Sequence, residues 1–129
     1  MEQYIYKHRV KLLSYKDLIV WQKAVELVEA VYKLTSKFPS EEKFAIISQL
    51  RRAAVSVPSN IAEGYGRRSN KEYLQFFSIA YGSALELETQ LIISKKLKFA
   101  LEQNFKESDI LLEEVKKMLY TMIFKRKEF

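Results

Sequence analysis

Few side chains in this sequence could make or break a covalent bond. There is one histidine, His8, and no cysteine, which excludes a thiolate nucleophile, a Cys-ligated zinc and a disulfide framework. Ser56, Ser59, Ser78 and Ser83 lie on stretches that hold no histidine to activate them. A di-iron site in a helical bundle needs two Glu-x-x-His pairs facing inward, and one histidine near the N-terminus cannot supply them. Glu86 and Glu88 stand two apart and point to different faces of a helix, and Glu113 and Glu114 are adjacent. No catalytic residue, metal ligand or cofactor is therefore expected, and the chain reads as a non-enzyme. What it has in excess is positive charge: 22 Lys and Arg against 16 Asp and Glu, a net +6. Such a surplus favours polyanionic partners, nucleic acid first among them. The segment Gly64-Tyr65-Gly66-Arg67-Arg68 superficially offers a phosphate loop. It lacks the strand and the Lys-Ser/Thr pair of one, and two glycines between helices read better as a helix cap and turn.

Those charges must be positioned by something, and composition narrows what. A chain of 129 residues with 48% hydrophobic positions makes one domain with a real core. Three glycines and two prolines are too few for a loop-rich sandwich or a disordered tail, which leaves a mostly helical protein. No apolar run reaches the roughly 20 residues that cross a bilayer. The first residues alternate tyrosines with charges, unlike a secretion signal. A cytoplasmic protein with no membrane partner is expected.

The punctuation divides the chain into a basic tail, residues 1–14, and a four-helix bundle domain, residues 15–126. The first helix is expected over 17–37, capped by Asp17 and stopped by Phe38 before Pro39. Two stripes mark it: Leu18, Trp21, Val25, Val28 and Tyr32, and beside them Ala24, Leu27, Val31 and Leu34. The second is expected over 40–63, ended by Gly64, with a kink near Ala54 where Pro58 removes a hydrogen bond and Ser56 and Asn60 compensate. A capping box at Ser69 and Glu72 opens the third, which runs to about 96 on the row Tyr73, Phe77, Ala80, Ala84, Leu87 and Leu91. The fourth, over 102–126, carries Phe105, Leu112, Val115, Leu119 and Met122 on one side. Short links make the expected architecture an up-down-up-down bundle.

In that architecture the tail, the link between helices two and three, and the end of helix four share one pole. It gathers Lys7, Arg9, Lys11, Lys16, Arg67, Arg68, Lys71, Lys125, Arg126 and Lys127 against Glu2, Asp17, Glu63, Glu72 and Glu128. The opposite pole has Lys33, Lys37, Lys43, Lys95, Lys96 and Lys98 against Glu41, Glu42 and Glu102. The more basic pole is the candidate contact for nucleic-acid phosphates, with Tyr4, Tyr6 and Tyr65 able to stack on unpaired bases. Trp21, Tyr32, Phe76 and Phe77 read as core. The apolar surface exceeds what one seam hides, which points to a homo-oligomer. Gly82 would allow close helix approach. Arg51 and Arg52 are candidate counter-charges for Glu86; counted from the turn, Arg52 and Glu86 differ by about 9 Å in level, which argues against an intrachain bridge.

Beyond these features, residues 15–126 resemble the four-helix bundle proteins named for reading frames in intervening sequences of bacterial 23S ribosomal RNA. The resemblance lies in Tyr15-Lys16-Asp17-Leu18-Ile19-Val20-Trp21-Gln22-Lys23-Ala24, in Phe38-Pro39 with Glu42, and in Gln49-Leu50-Arg51-Arg52-Ala53-Ala54. It continues in Ser56-Val57-Pro58-Ser59-Asn60-Ile61-Ala62-Glu63-Gly64-Tyr65-Gly66-Arg67, then Ile79-Ala80-Tyr81-Gly82-Ser83 and Glu86-Leu87-Glu88. It implies a homopentamer without catalytic residues. A related branch, the accessory proteins of diversity-generating retroelements, implies a reverse transcriptase and its RNA as partners. Lys98-Phe99-Ala100-Leu101 departs from the family's usual Gly-Tyr and Ser or Asp cap before helix four.

Overall fold

Residues 14–125 are described by a computed structural model, and among them the structure is entirely helical, with no strand. Helix α1 (Ile19–Thr35) buries Ala24, Leu27, Val31 and Leu34, whose three- and four-residue spacing puts them on one side. Of the neighbouring stripe Leu18 is buried in the core, while Trp21, Val25 and Val28 form its margin. Trp21 is partly buried, edge-on to Tyr15 with ring centroids 5.2 Å apart. Tyr32, expected in the core, is 43% exposed and instead supports Arg51, whose guanidinium lies 4.3 Å from its ring centre. Asp17 does not cap α1. It closes a capping box with Ser14 around the 3-10 turn Tyr15–Asp17, accepting from the Ser14 N–H at 3.2 Å while Ser14 Oγ accepts from the Lys16 N–H at 3.0 Å.

Helix α2 (Ser48–Tyr65) begins later than its capping residues predict. Ser40–Glu42 form a 3-10 turn and Lys43–Ile47 a π turn, broken at Ala45 (φ −118°, ψ −109°). This turn buries Ile47 and leaves Phe44 90% exposed. The interruption in backbone conformation lies at Ala45, and the helix continues without one through the buried Pro58. Asn60 helps hold that stretch, its side-chain amide donating to the Ser56 carbonyl at 2.8 Å and to Ser56 Oγ at 3.0 Å. The carbonyl that Pro58 leaves without a helical donor is that of Ala54, and the Asn60 bonds tie the turn around the proline without replacing the missing one.

Helix α3 (Asn70–Lys96) buries the expected row from Tyr73 to Leu91, and Ser69 Oγ caps it by accepting from the Glu72 N–H at 3.2 Å. It closes through Lys98, which has φ 59°, the one left-handed non-glycine residue among those described. The Lys98 N–H donates to the Lys95 carbonyl at 3.0 Å and the Phe99 N–H to the Ser94 carbonyl at 3.1 Å, satisfying carbonyls that a helix end leaves open. A 3-10 turn, Glu102–Phe105, then leads into α4 (Lys106–Phe124), which buries Leu112, Val115, Leu119 and Met122.

Each helix packs on the next, and α1 also packs on α4. Lys95 pairs with Asp109 and Glu88 with Lys116, while Lys23 pairs with Glu114 and Lys33 with Glu107. In both seams the partner's number falls as the residue's own rises. The core runs between all four helices as one cluster that includes Leu27, Leu50, Ile61, Phe77, Leu87 and Leu119.

Candidate nucleic-acid interface

The turn from α2 to α3 is set by packing around Gly64. This residue does not end the helix; it is buried inside the last turn of α2. A Cβ there would lie 2.7 Å from Phe77 Cδ1 and 3.0 Å from Phe76 Cβ, so only glycine lets the α3 aromatics come this close. The helix ends one residue later, with Gly66 at the cap in a right-handed conformation, φ −80°. A side chain at Gly66 would meet nothing closer than 3.7 Å. The pair of glycines is therefore one packing residue and one ordinary turn residue.

From this turn project Arg67, Arg68 and Lys71. Arg67 is held: its Nη2 meets Glu63 Oε2 at 2.5 Å and its guanidinium stacks 4.6 Å from the Phe76 ring centre. Arg68 and Lys71 are exposed and form no ion pair. Tyr65 is partly buried against the core. Beside the turn a cleft of about 430 Å³ is lined by Tyr15, Ser59, Ala62, Glu63, Gly66 and Arg67, and Lys16 stands 6.0 Å from the Tyr15 ring centre. This end can offer phosphates two unneutralised cations and a third that is oriented by a carboxylate and an aromatic face. The cleft itself carries the Glu63 carboxylate and is a poor seat for an anion.

Lys125 does not join this group. Lys95 opposite Asp109 and Glu88 opposite Lys116 fix the register of α3 on α4. Continuing it brings Lys125 level with about residue 79, short of Lys71 by about eight residues or roughly 12 Å. The first turns of α3 and the last of α2 therefore overhang the end of α4. Lys7, Arg9, Lys11, Arg126 and Lys127, together with Tyr4 and Tyr6, lie outside the described residues.

The outer face of α2 and α3 holds the remaining residues singled out above. Arg51 is structural: its Nε donates to Thr35 Oγ1 at 2.9 Å. Ser56 Oγ and Ser83 Oγ are 2.8 Å apart, so one helical turn further Arg52 and Glu86 come level. The 9 Å offset expected between them came from counting both helices from Gly66, whereas α3 starts at Asn70. They nevertheless form no ion pair, and Glu86 accepts from Gln90 Nε2 at 3.3 Å. One feature of this face gave no sequence signal. Gln90 is 7% exposed, and its Oε1 is buried without a hydrogen-bond partner. Gly82 is exposed, and a Cβ on it would meet nothing within 4 Å. Ile79, 45% exposed, lies one turn before it on α3, and Ile93, 42% exposed, about three turns after it.

Among the described residues no helix is long and apolar enough to cross a membrane, and no group of three or more His, Cys, Asp or Glu side chains could hold a metal ion.

These features define an all-helical bundle with a basic turn and an unfilled outer face. Residues 16–121 match the 23S rRNA-intervening sequence proteins, and the chain belongs to that family. The crystal structure of a protein of unknown function from the S23 ribosomal protein family of Bacteroides thetaiotaomicron has the same fold. The two superpose with a TM-score of 0.76 at 22% identity, over 82% of this chain and 99% of that one. A search of curated proteins gave no match.

Proposed function

We propose that this protein is a non-enzymatic, cytoplasmic up-down-up-down bundle that assembles as a homopentamer and binds RNA or another nucleic acid through its α2–α3 end. The observation that carries the binding is the α2–α3 turn, where Arg68 and Lys71 stand exposed and unpaired beside the braced Arg67. Contacts of this kind address the phosphate backbone and carry little base readout. Assembly is supported by the outer α2/α3 face: an exposed glycine in mid-helix, exposed isoleucines on the same helix, and Arg52 and Glu86 level but unpaired. A second subunit packed against Gly82 would bring a cation to Glu86 and cover the isoleucines. Native mass measured at two ionic strengths, with and without a short structured RNA, tests both parts. The expected result is a pentamer that takes up RNA with an affinity falling steeply with salt. Changing Arg67, Arg68 and Lys71 to Glu should abolish uptake and leave the oligomer intact; full retained affinity overturns the reading.

One observation favours a second reading, a protein-interaction adaptor whose partner could be a reverse transcriptase. Phe44, 90% exposed on the π turn, is an aromatic anchor of the kind protein interfaces use. A pentamer that ignores RNA at every salt concentration would favour it.

A further inference from the structure

At the other end of the bundle, where α1 and α3 finish and α4 begins, a cleft of about 500 Å³ is lined by Lys37, Lys95, Lys98, Leu101, Glu102 and Asn104, with Ala100 beside them. We propose that this cleft binds a small phosphate-bearing molecule of mononucleotide size.

Three lysines line the cleft from three separate segments: the link after α1, the last turn of α3, and the α3–α4 connection. Lys95 is neutralised by Asp109 at 2.5 Å. Lys37 and Lys98 form no ion pair. Helix dipoles do not account for this charge, because two helix C-termini and two N-termini meet at this end and their partial charges offset one another. An anion between Lys37 and Lys98, with the Asn104 amide as a neutral donor, would relieve the repulsion.

Lys98 adds an independent argument. It occupies the left-handed position that closes α3, where glycine is the residue that fits without cost. Its N–H makes the closing hydrogen bond, which any residue but proline could make. What lysine brings in exchange for the strain is its side chain, and that side chain lines the cleft. Residues held in a costly conformation gather at ligand sites. The segments that carry these residues are tied together by aromatic packing next to them in sequence: Phe99 packs on Phe38 with centroids 5.6 Å apart, and Phe38 on Phe105 at 6.0 Å.

Size sets the ligand class. About 500 Å³ lies within the usual range for small-molecule sites and greatly exceeds what one phosphate group fills. Ala100 and the 65% exposed Leu101 supply an apolar wall for the uncharged part. Glu102 also lines the cleft and offsets one of the two unpaired lysines, which leaves the lining net positive and suits a ligand with hydroxyl or amino donors as well as a phosphate.

Titration calorimetry of the full chain with ADP, with adenosine and inorganic phosphate in parallel, tests the proposal. ADP should bind saturably and more tightly than either. Lys37→Gln and Lys98→Gln should each weaken it about tenfold, the loss of one charge-assisted hydrogen bond. Lys98→Gly should weaken ADP binding while raising the melting temperature, a pairing of effects that a purely structural lysine would not give. Arg68→Gln should leave ADP binding unchanged, which separates this cleft from the nucleic-acid end. No saturable ADP binding, equal affinity for phosphate alone, or binding indifferent to both lysines overturns the proposal.

Discussion

The two seams of α3 are built from opposite materials. Against α2 it packs through a glycine under an aromatic ring, Gly64 on Phe77, and through a bond between two hydroxyls, Ser56 and Ser83. Against α4 it uses long charged side chains, Lys95 with Asp109 and Lys116 with Glu88 and Glu113. Where backbones approach closely there is no room for a charged stem, and small groups that satisfy one another hold the contact. Where they stand further apart, lysine and glutamate reach across and cover apolar surface with their methylenes. The first seam should be sensitive to volume and indifferent to pH, the second the reverse.

The largest effect should come from Gly64→Ala. Phe77 is buried and stacked on Tyr73 with centroids 4.2 Å apart, so it cannot swing away from a methyl group. Urea denaturation should show a loss of about 1–3 kcal/mol. In a Phe77→Leu background the same substitution should cost less; an unchanged cost would refute the steric explanation.

A smaller effect is expected on the charged seam. The hydrogen bond that Lys116 donates to the Glu88 carboxylate holds its ammonium above the ordinary lysine range against a lesser opposing effect of burial. Because the folded-state value is raised, the pair's stabilisation is complete below the ordinary lysine pKa and is lost as pH rises through the folded value. Lys116→Met should therefore cost about 1 kcal/mol or less at neutral pH, and the difference from the parent should vanish in strong alkali. A difference that persists there would mean the lysine acts through packing alone.

Smallest in the isolated chain is Gly82→Ala. With open space for the methyl group, it should stabilise the subunit by about 0.5–1 kcal/mol through helix propensity. If another subunit packs on this face, the same variant should assemble less well, and native mass would record it. Stabilisation with unchanged assembly would show that the glycine is not an approach point.

Most of the core could be read from spacing. The rows on α1, α3 and α4 follow the helical period without interruption, and periodicity depends only on local geometry. What failed depended on how helices meet. Gly64 reads as a cap in one dimension; only the arrival of Phe77 from α3 makes it a packing residue. The break at Ala45 has no glycine or proline to announce it, whereas Pro58, which announces a kink, is held within the helix while the Asn60 amide bonds back to Ser56. Connectivity groups Lys125 with Arg67, Arg68 and Lys71 only if the four helices end together, and α4 stops short of the others. Of the candidate contact residues, the cluster on the α2–α3 turn follows from adjacency in sequence.

The seam between α1 and α4 carries a consequence for the order in which this chain acquires its structure. It joins the first helix to the last, through ion pairs at 3.6 and 3.8 Å that are largely exposed and span roughly 70 to 90 residues, a long loop to close. The α2–α3 contacts are far more local, and the folding nucleus should lie there. On the ribosome, α1 then waits with the Leu27 and Val31 face incompletely covered until the final helix emerges. Substitutions in α2 and α3 should slow folding, while those in α4 should mainly hasten unfolding.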